Sequence, residues 1–220
     1  MKIDIVSDTV CPWCFIGKRR LEKALLERPD VNFEIQWYPF QLNPEMPLDG
    51  IDRQTYLNLK FGGSIGAQSV YNNIVGAGAT ENIDFNFDGI RRMPNSLLSH
   101  RLIYFCRESG QQTMIIENLF RSYFLYGMDI GKIENLLHIV EESGLNSTEV
   151  KKYLLSDADS SLVQEQDREA RRMGITGVPC FIINNEFVVS GAQEPKVFLQ
   201  VFSVAEASTT SKPKAPLQFL

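Results

Sequence analysis

Apolar residues enter the chain in short runs whose spacing changes along its length. Lys2-Ile3-Asp4-Ile5-Val6-Ser7 is brief and rich in β-branched residues, the pattern of a strand. Gly17 to Glu27 is charged and punctuated by leucines at helical spacing, and Arg28-Pro29-Asp30 stops it. Asp30 to Tyr38 then alternates through Phe33, Ile35 and Trp37, a second strand with one side favoured for burial. Residues 2–38 therefore read as a βαβ unit, and its two strands are expected to be parallel. Pro44 and Pro47 keep the stretch from Phe40 to Pro47 extended.

From Gly50 the period becomes helical. Asp52 is placed to cap a helix through Phe61, Gly62-Gly63 breaks it, and Ser64 opens another toward Val75. Gly76 to Asp88, rich in Gly, Asn and Asp, reads as a loop. Asn95 introduces a helix with Leu98, Leu102 and Phe105 on one face, ending at Gly110. Two more stripes follow, Ile115–Leu119–Tyr123–Phe124 closed by Gly127 and Ile133–Leu136–Leu137–Val140 closed by Gly144. Asn146 with Glu149 three residues on is a capping-box pattern for a short helix through Leu155.

The strand signal returns near the end. Asp159 starts a polar helix that closes at Met173-Gly174. Gly177-Val178-Pro179 leads into Cys180-Phe181-Ile182-Ile183, and Asn184-Asn185 separates it from Phe187-Val188-Val189-Ser190, which reads as an antiparallel hairpin. Glu194-Pro195 opens a last helix that buries Val197, Phe198, Val201 and Phe202. The expected division is a discontinuous α/β domain, 1–49 with 158–205, a helical insertion, 50–157, held over one end of the sheet, and a mobile tail, 206–220, in which Leu217, Phe219 and Leu220 are available to dock.

Composition narrows the classes. The chain has 220 residues, 44% of them hydrophobic, enough for one sizeable core. The net charge of −5 is spread over interspersed signs, which argues against nucleic acid and against an anionic membrane surface. No apolar run reaches the length of a membrane span and no signal-peptide pattern opens the chain, so a cytoplasmic protein is expected. In that compartment a close cysteine pair is catalytic or metal-binding more often than structural.

That pair is Cys11-Pro12-Trp13-Cys14, at the junction between the first strand and the first helix. Pro12 suits the first helical position, where its missing N–H is no loss. A cysteine at a helix start faces unpaired N–H groups and the positive end of the dipole, which favour the thiolate that attacks disulfides. Cys11 is thus the candidate nucleophile, and Cys14, one turn in, the thiol that closes the disulfide and expels the partner. A structural disulfide or half of a zinc site are the alternatives. The intervening lengths to Cys106 and Cys180 do not form the paired knuckles of a zinc motif. Cys106 and Cys180 read as small core residues, and Cys180 earns more interest because it follows Pro179. Asp8 is a helix cap or a proton shuttle; Lys18, Arg19 and Arg20 read as a solvated helix face.

The order βα(CxxC)β, helical insert, αββα looks like the thioredoxin fold in its DsbA form. Ser7-Asp8 followed by Cys11-Pro12-Trp13-Cys14 and Gly17-Lys18 resembles the FrnE-like DsbA oxidoreductases. Pro94-Asn95 with His100-Arg101-Leu102, Leu119-Phe120-Arg121, Gly174 with Gly177-Val178-Pro179, and Ser190-Gly191-Ala192-Gln193 fit the same family, over residues 2–203. The resemblance implies an α/β thioredoxin-like fold with an inserted all-helical subdomain. It implies thiol–disulfide exchange on protein or small-molecule disulfides without a bound cofactor, glutathione being a candidate reductant. It also implies a cis Val178–Pro179 bond, where the residues alone suit a trans bond equally, and a substrate surface made by Pro12, Trp13, Val178 and Pro179. His100, Tyr123 and Cys180 are candidates for lining the cleft; His138 is a weaker one. The sequence departs from DsbA at Trp13, which stands where DsbA carries a His, and at Ile5, where thioredoxin-fold enzymes often bury an acid. The alternative function is a glutathione-dependent isomerase or transferase, like the 2-hydroxychromene-2-carboxylate isomerases and kappa-class glutathione transferases. Those carry a Ser where Cys11 stands.

Overall fold

The computed structural model describes residues 1–209. Strand β1 (Lys2–Ser7) is followed by helix α1 (Pro12–Leu26) and strand β2 (Glu34–Pro39), and β1 and β2 pair in parallel from Lys2↔Glu34 to Ser7↔Pro39. Strands β5 (Cys180–Ile183) and β6 (Phe187–Ser190) complete a four-stranded sheet of order β2-β1-β5-β6, with β5 antiparallel to both neighbours. Asn184 and Asn185 both have positive φ, 49° and 56°, the geometry of the tight hairpin turn expected there. Strands β3 (Ile51–Asp52) and β4 (Arg92–Met93) form a separate two-stranded ribbon, short enough that no alternation announced it.

Side chains of the main sheet alternate between two layers, as a pleated strand requires. Ile3, Ile5, Phe181, Ile183 and Val189 join the large core with α1 and with α9 (Pro195–Thr209). Val6, Tyr38, Cys180 and Ile182 form a smaller cluster with Ala170 of α8 (Ser160–Arg172). Helix α9 extends to Thr209, so the tail expected from 206 begins as helix; Leu217, Phe219 and Leu220 lie outside the described residues.

Between β2 and α8 run α2 (Arg53–Phe61), α3 (Ser64–Ala79), α4 (Leu97–Phe105), α5 (Gln112–Phe124), α6 (Ile133–Glu142) and α7 (Ser147–Leu155). Phe15 of α1 stacks on Phe120 and Phe124 of α5, so these helices share the core of the sheet. Asp52 and Asn146 accept first-turn N–H bonds as their capping patterns suggest. The loop expected over 76–88 is shorter, because α3 continues through Ala79. Gly78 has a reason other than flexibility: a Cβ there would lie 2.5 Å from the Phe85 ring, so the glycine lets Phe85 pack against the helix. Asp159 precedes α8 in a left-handed conformation and accepts from the Tyr153 hydroxyl instead of capping.

Two surface expectations are corrected. Lys18 is buried, with its ammonium 2.8 Å from Glu117 of α5 and a second contact to Glu22. Arg20 is also buried, bonding Glu81 at 2.9 Å, the Ala192 carbonyl at 2.7 Å and Glu194 at 2.8 Å. Only Arg19 is partly exposed, and it too reaches Glu117. The charged face of α1 is a seam between helices, and each cation meets a carboxylate supplied by a distant part of the chain.

Candidate active site

The site forms where β1 gives way to α1. Strand β1 ends at Ser7, and the Cys11 N–H bonds the Asp8 carbonyl at 3.1 Å to close the turn. Cys11 is the N-cap residue, extended at φ −97° and ψ 112°, with no side-chain cap bond; Pro12 opens the helix and the Cys14 N–H reaches the Cys11 carbonyl at 3.0 Å. Both cysteines are free thiols and both are buried, Cys11 at 4% exposure and Cys14 at 1%. A helix-start position alone would leave Cys11 open to solvent; here the loop before β5 covers it. Its Sγ lies 3.6 Å from the Val178 carbonyl oxygen.

Burial pushes the Cys14 thiol well above the ordinary range, and the neighbouring Cys11 adds to the rise; the Ser7 hydroxyl and the Asp8 backbone N–H pull the other way. The two thiols are thus adjacent but unequal. Cys14 is a thiol to be deprotonated in the course of a reaction, while Cys11 sits at the helix start beside the Val178 loop.

The Val178–Pro179 peptide is cis. Pro179 is buried and its carbonyl accepts from Gly191 N–H at 2.8 Å, while Val178, Pro12 and Trp13 are half-buried around Cys11. Beside this loop lies a groove of about 500 Å³, lined among others by Ile175, Thr176, Val178, Pro179, Val188 and Ser190.

Of the cleft candidates, the structure brings His100 to the site. His100, from α4, places Nε2 3.2 Å from Asp8 Oδ1, and the other Asp8 oxygen accepts the Leu42 N–H at 2.7 Å. Next to this pair the Thr9 and Ser99 hydroxyls meet at 2.7 Å. Asp8 is fully buried and makes no cap bond to α1, which corrects that reading. Ser7, Thr9 and His100 line a small cavity of about 10 Å³ with Trp37, Tyr38 and Gln166.

Tyr123 does not reach the site. It is buried inside the helical region, its hydroxyl directed at the Arg92 carbonyl at 3.4 Å and the Met93 sulfur. Cys180 follows Pro179 in sequence, but its side chain enters the small cluster on the other face of the sheet, with Val6 and Ala170. Burial raises its thiol, and that of Cys106 to about 12. His138 is exposed beside Glu142 on α6. Among the described residues no group of three or more His, Cys, Asp or Glu side chains is arranged to hold a metal, and no helix is long and apolar enough to cross a membrane.

Sequence reasoning considered Asp8 and His100 separately and missed their pairing. They are 92 residues apart, and no local spacing links them.

The family model for the DSBA-like thioredoxin domain matches residues 2–203. The chain is similar to a probable DsbA oxidoreductase from Streptomyces coelicolor, with 30% identity, a TM-score of 0.85, and coverage of 100% of this chain and 94% of that one. Two more distant structures share the fold. The cytosolic disulfide reductase DsbM from Pseudomonas aeruginosa has 15% identity and a TM-score of 0.68 over 94% of this chain and 99% of that one. A 2-hydroxychromene-2-carboxylate isomerase has 15% identity and a TM-score of 0.68 over 98% of this chain and 100% of that one.

Proposed function

The chain belongs to the DSBA-like thioredoxin domain family, and from that premise we propose that it is a FrnE-like thiol–disulfide oxidoreductase that works on protein or small-molecule disulfides in the cytoplasm. The observation that carries the reading is the asymmetry of Cys11 and Cys14. One thiol begins a helix and faces a backbone carbonyl of the neighbouring loop; the other is buried one turn behind it with its proton held tightly. Cys11 attacks the substrate disulfide, a mixed disulfide forms, and Cys14 attacks Cys11 to release the reduced product. Pro12, Trp13, Val178 and Pro179 form the substrate surface around Cys11, whose sulfur faces the Val178 carbonyl, and the Val178 backbone is the edge an extended substrate segment would pair with. Residues 50–157 act as a helical insertion that supplies His100. No resident cofactor is required, and glutathione would serve as the reductant of the closed disulfide.

The test is insulin reduction driven by a dithiol. Cys11→Ser is expected to abolish turnover, and Cys14→Ser to retain attack while accumulating mixed disulfides. Capture of partners by Cys11→Ser instead would reverse the two roles.

The likeness to the isomerase fold supports a second reading, a glutathione-dependent isomerase or transferase. Two cysteines at the reacting positions weigh against it, since activation of a bound thiol needs no resolving partner. Glutathione transfer to an electrophile by Cys11→Ser would favour this second reading.

A further inference from the structure

Resolution of a mixed disulfide poses a problem that the thiol pair does not solve by itself. Cys14 must lose a proton inside the protein, and burial opposes its ionisation. On β1, Ile5 faces the large apolar core and offers no base. Besides Cys11, the polar groups against Cys14 are the Ser7 hydroxyl and the Asp8 backbone. Ser7 in turn shares with His100 the wall of the cavity of about 10 Å³, about the volume that a single water needs. His100 is bonded through Nε2 to the buried Asp8 carboxylate. A carboxylate only accepts, so Nε2 carries a proton in this bond, and Nδ1 is the ring nitrogen left for a second partner.

Resting on the oxidoreductase reading above, we propose that Ser7, His100 and Asp8 form a proton relay that takes the Cys14 proton as Cys14 attacks the mixed disulfide. The Cys14–Cys11 sulfur bond forms and the bond from Cys11 to the substrate sulfur breaks, the electron pair leaving on the substrate as a thiolate. The protein dithiol is oxidised by two electrons and the substrate disulfide is reduced by two. The proton passes from Cys14 through the Ser7 hydroxyl to His100 Nδ1, and the Asp8 carboxylate stabilises the imidazolium. The proton then returns to the substrate thiolate or to solvent. The Asp8 carboxylate and the His100 ring act through Ser7 and not on the sulfurs, so they are positioning and relay residues.

The titratable and charged groups that face the relay are few. Tyr56 of α2 and Tyr38 of β2 are both raised by burial and stay neutral through the neutral range. Tyr104 lines the cavity from α4 itself. From α8, Asp167 accepts the Gln41 N–H and binds Arg171, next to the Leu42 N–H held by Asp8. At the start of α1 the groups are its N-cap Cys11 and Cys14.

The experiment mixes reduced protein with excess oxidised glutathione and follows two steps by acid quench and mass spectrometry, adduct formation on Cys11 and closure of Cys11–Cys14. In His100→Gln, closure should slow by about tenfold or more at neutral pH while adduct formation stays within about threefold. The deficit should shrink toward about pH 9, where hydroxide takes over as base. Ser7→Ala leaves the Asp8–His100 pair intact and should reproduce the pattern, which guards against misfolding of the histidine variant; both proteins are checked by circular dichroism. Closure equal to wild type at every pH in both variants overturns the relay, and so does an equal loss of both steps in folded protein. Slow closure in His100→Gln alone overturns the route through Ser7. If the wild-type protein forms neither adduct nor closed disulfide, the oxidoreductase reading itself falls and takes the relay with it.

Discussion

Gly17 of α1 lies directly against Pro179. A Cβ at position 17 would be 2.8 Å from Pro179 Cγ and 3.1 Å from the Phe181 ring. Helix α1 therefore approaches the loop that covers Cys11 as closely as it does because residue 17 has no side chain. A glycine inside a helix costs about 0.5–1 kcal/mol relative to alanine, so Gly17→Ala would stabilise an open site by that amount. Here overpacking, at about 1–3 kcal/mol, should outweigh the gain. The expected result is a lower urea midpoint, with insulin reduction falling more than Cys11 alkylation, since the added methyl displaces the loop and leaves the helix start in place. A midpoint higher than wild type would show that the loop yields freely.

The four thiols should react in a fixed order. Burial raises Cys14, Cys106 and Cys180, and the thiolate is the attacking form, so raised thiols react slowly at neutral pH. Iodoacetamide on native reduced protein, followed by peptide mapping, should label Cys11 first and the other three only after denaturation. The same shifts make a stability prediction. A group whose folded pKa is raised contributes stability below its unfolded pKa and loses it as pH rises toward the folded value. For Cys106 that window runs from about 8.5, its unfolded value, up to about 12. Urea midpoints of the wild type should fall with rising alkaline pH more steeply than those of Cys106→Ala.

The opposite sign applies to Glu81. Burial by itself would raise this carboxyl, but bonds from Lys23 and Arg20 outweigh it and hold the group below its usual range. A depressed carboxyl contributes stability above its unfolded pKa and loses it as pH falls through the folded one. Wild-type stability should therefore decline from about pH 4.5 downward more than that of Glu81→Gln. Parallel acid profiles for the two proteins would assign the Arg20–Glu81 bond no net contribution.

Lys18 gives a test of the seam between α1 and α5. Glu117→Gln removes a full charge from the 2.8 Å contact and leaves the buried ammonium with Glu22 alone. A bond to a charged group is worth about 1.5–3 kcal/mol, and the partial exposure of Glu117 places the expected loss at the lower end. The urea midpoint should drop with no change in m-value. A drop of the same size in Lys18→Met would identify the pair, not the orphaned ammonium, as the source.

What the sequence determined by itself was local. The βαβ unit, the thiol pair at a helix start, the Asn184–Asn185 turn and the caps at Asp52 and Asn146 are set by neighbours within a few residues, through period, capping and turn chemistry. The tertiary structure decided the rest. It turned Lys18 and Arg20 inward, because Glu117 and Glu81 arrive from distant helices to neutralise them. It sent Cys180 to the face away from Cys14, because the pleat alternates sides at each residue after Pro179. It joined Asp8 to His100, a bond between residues with no common period, fixed by where α4 packs against β2 and the loop that follows β1. Contacts made across a fold depend on how elements dock, and no window along the chain contains both partners.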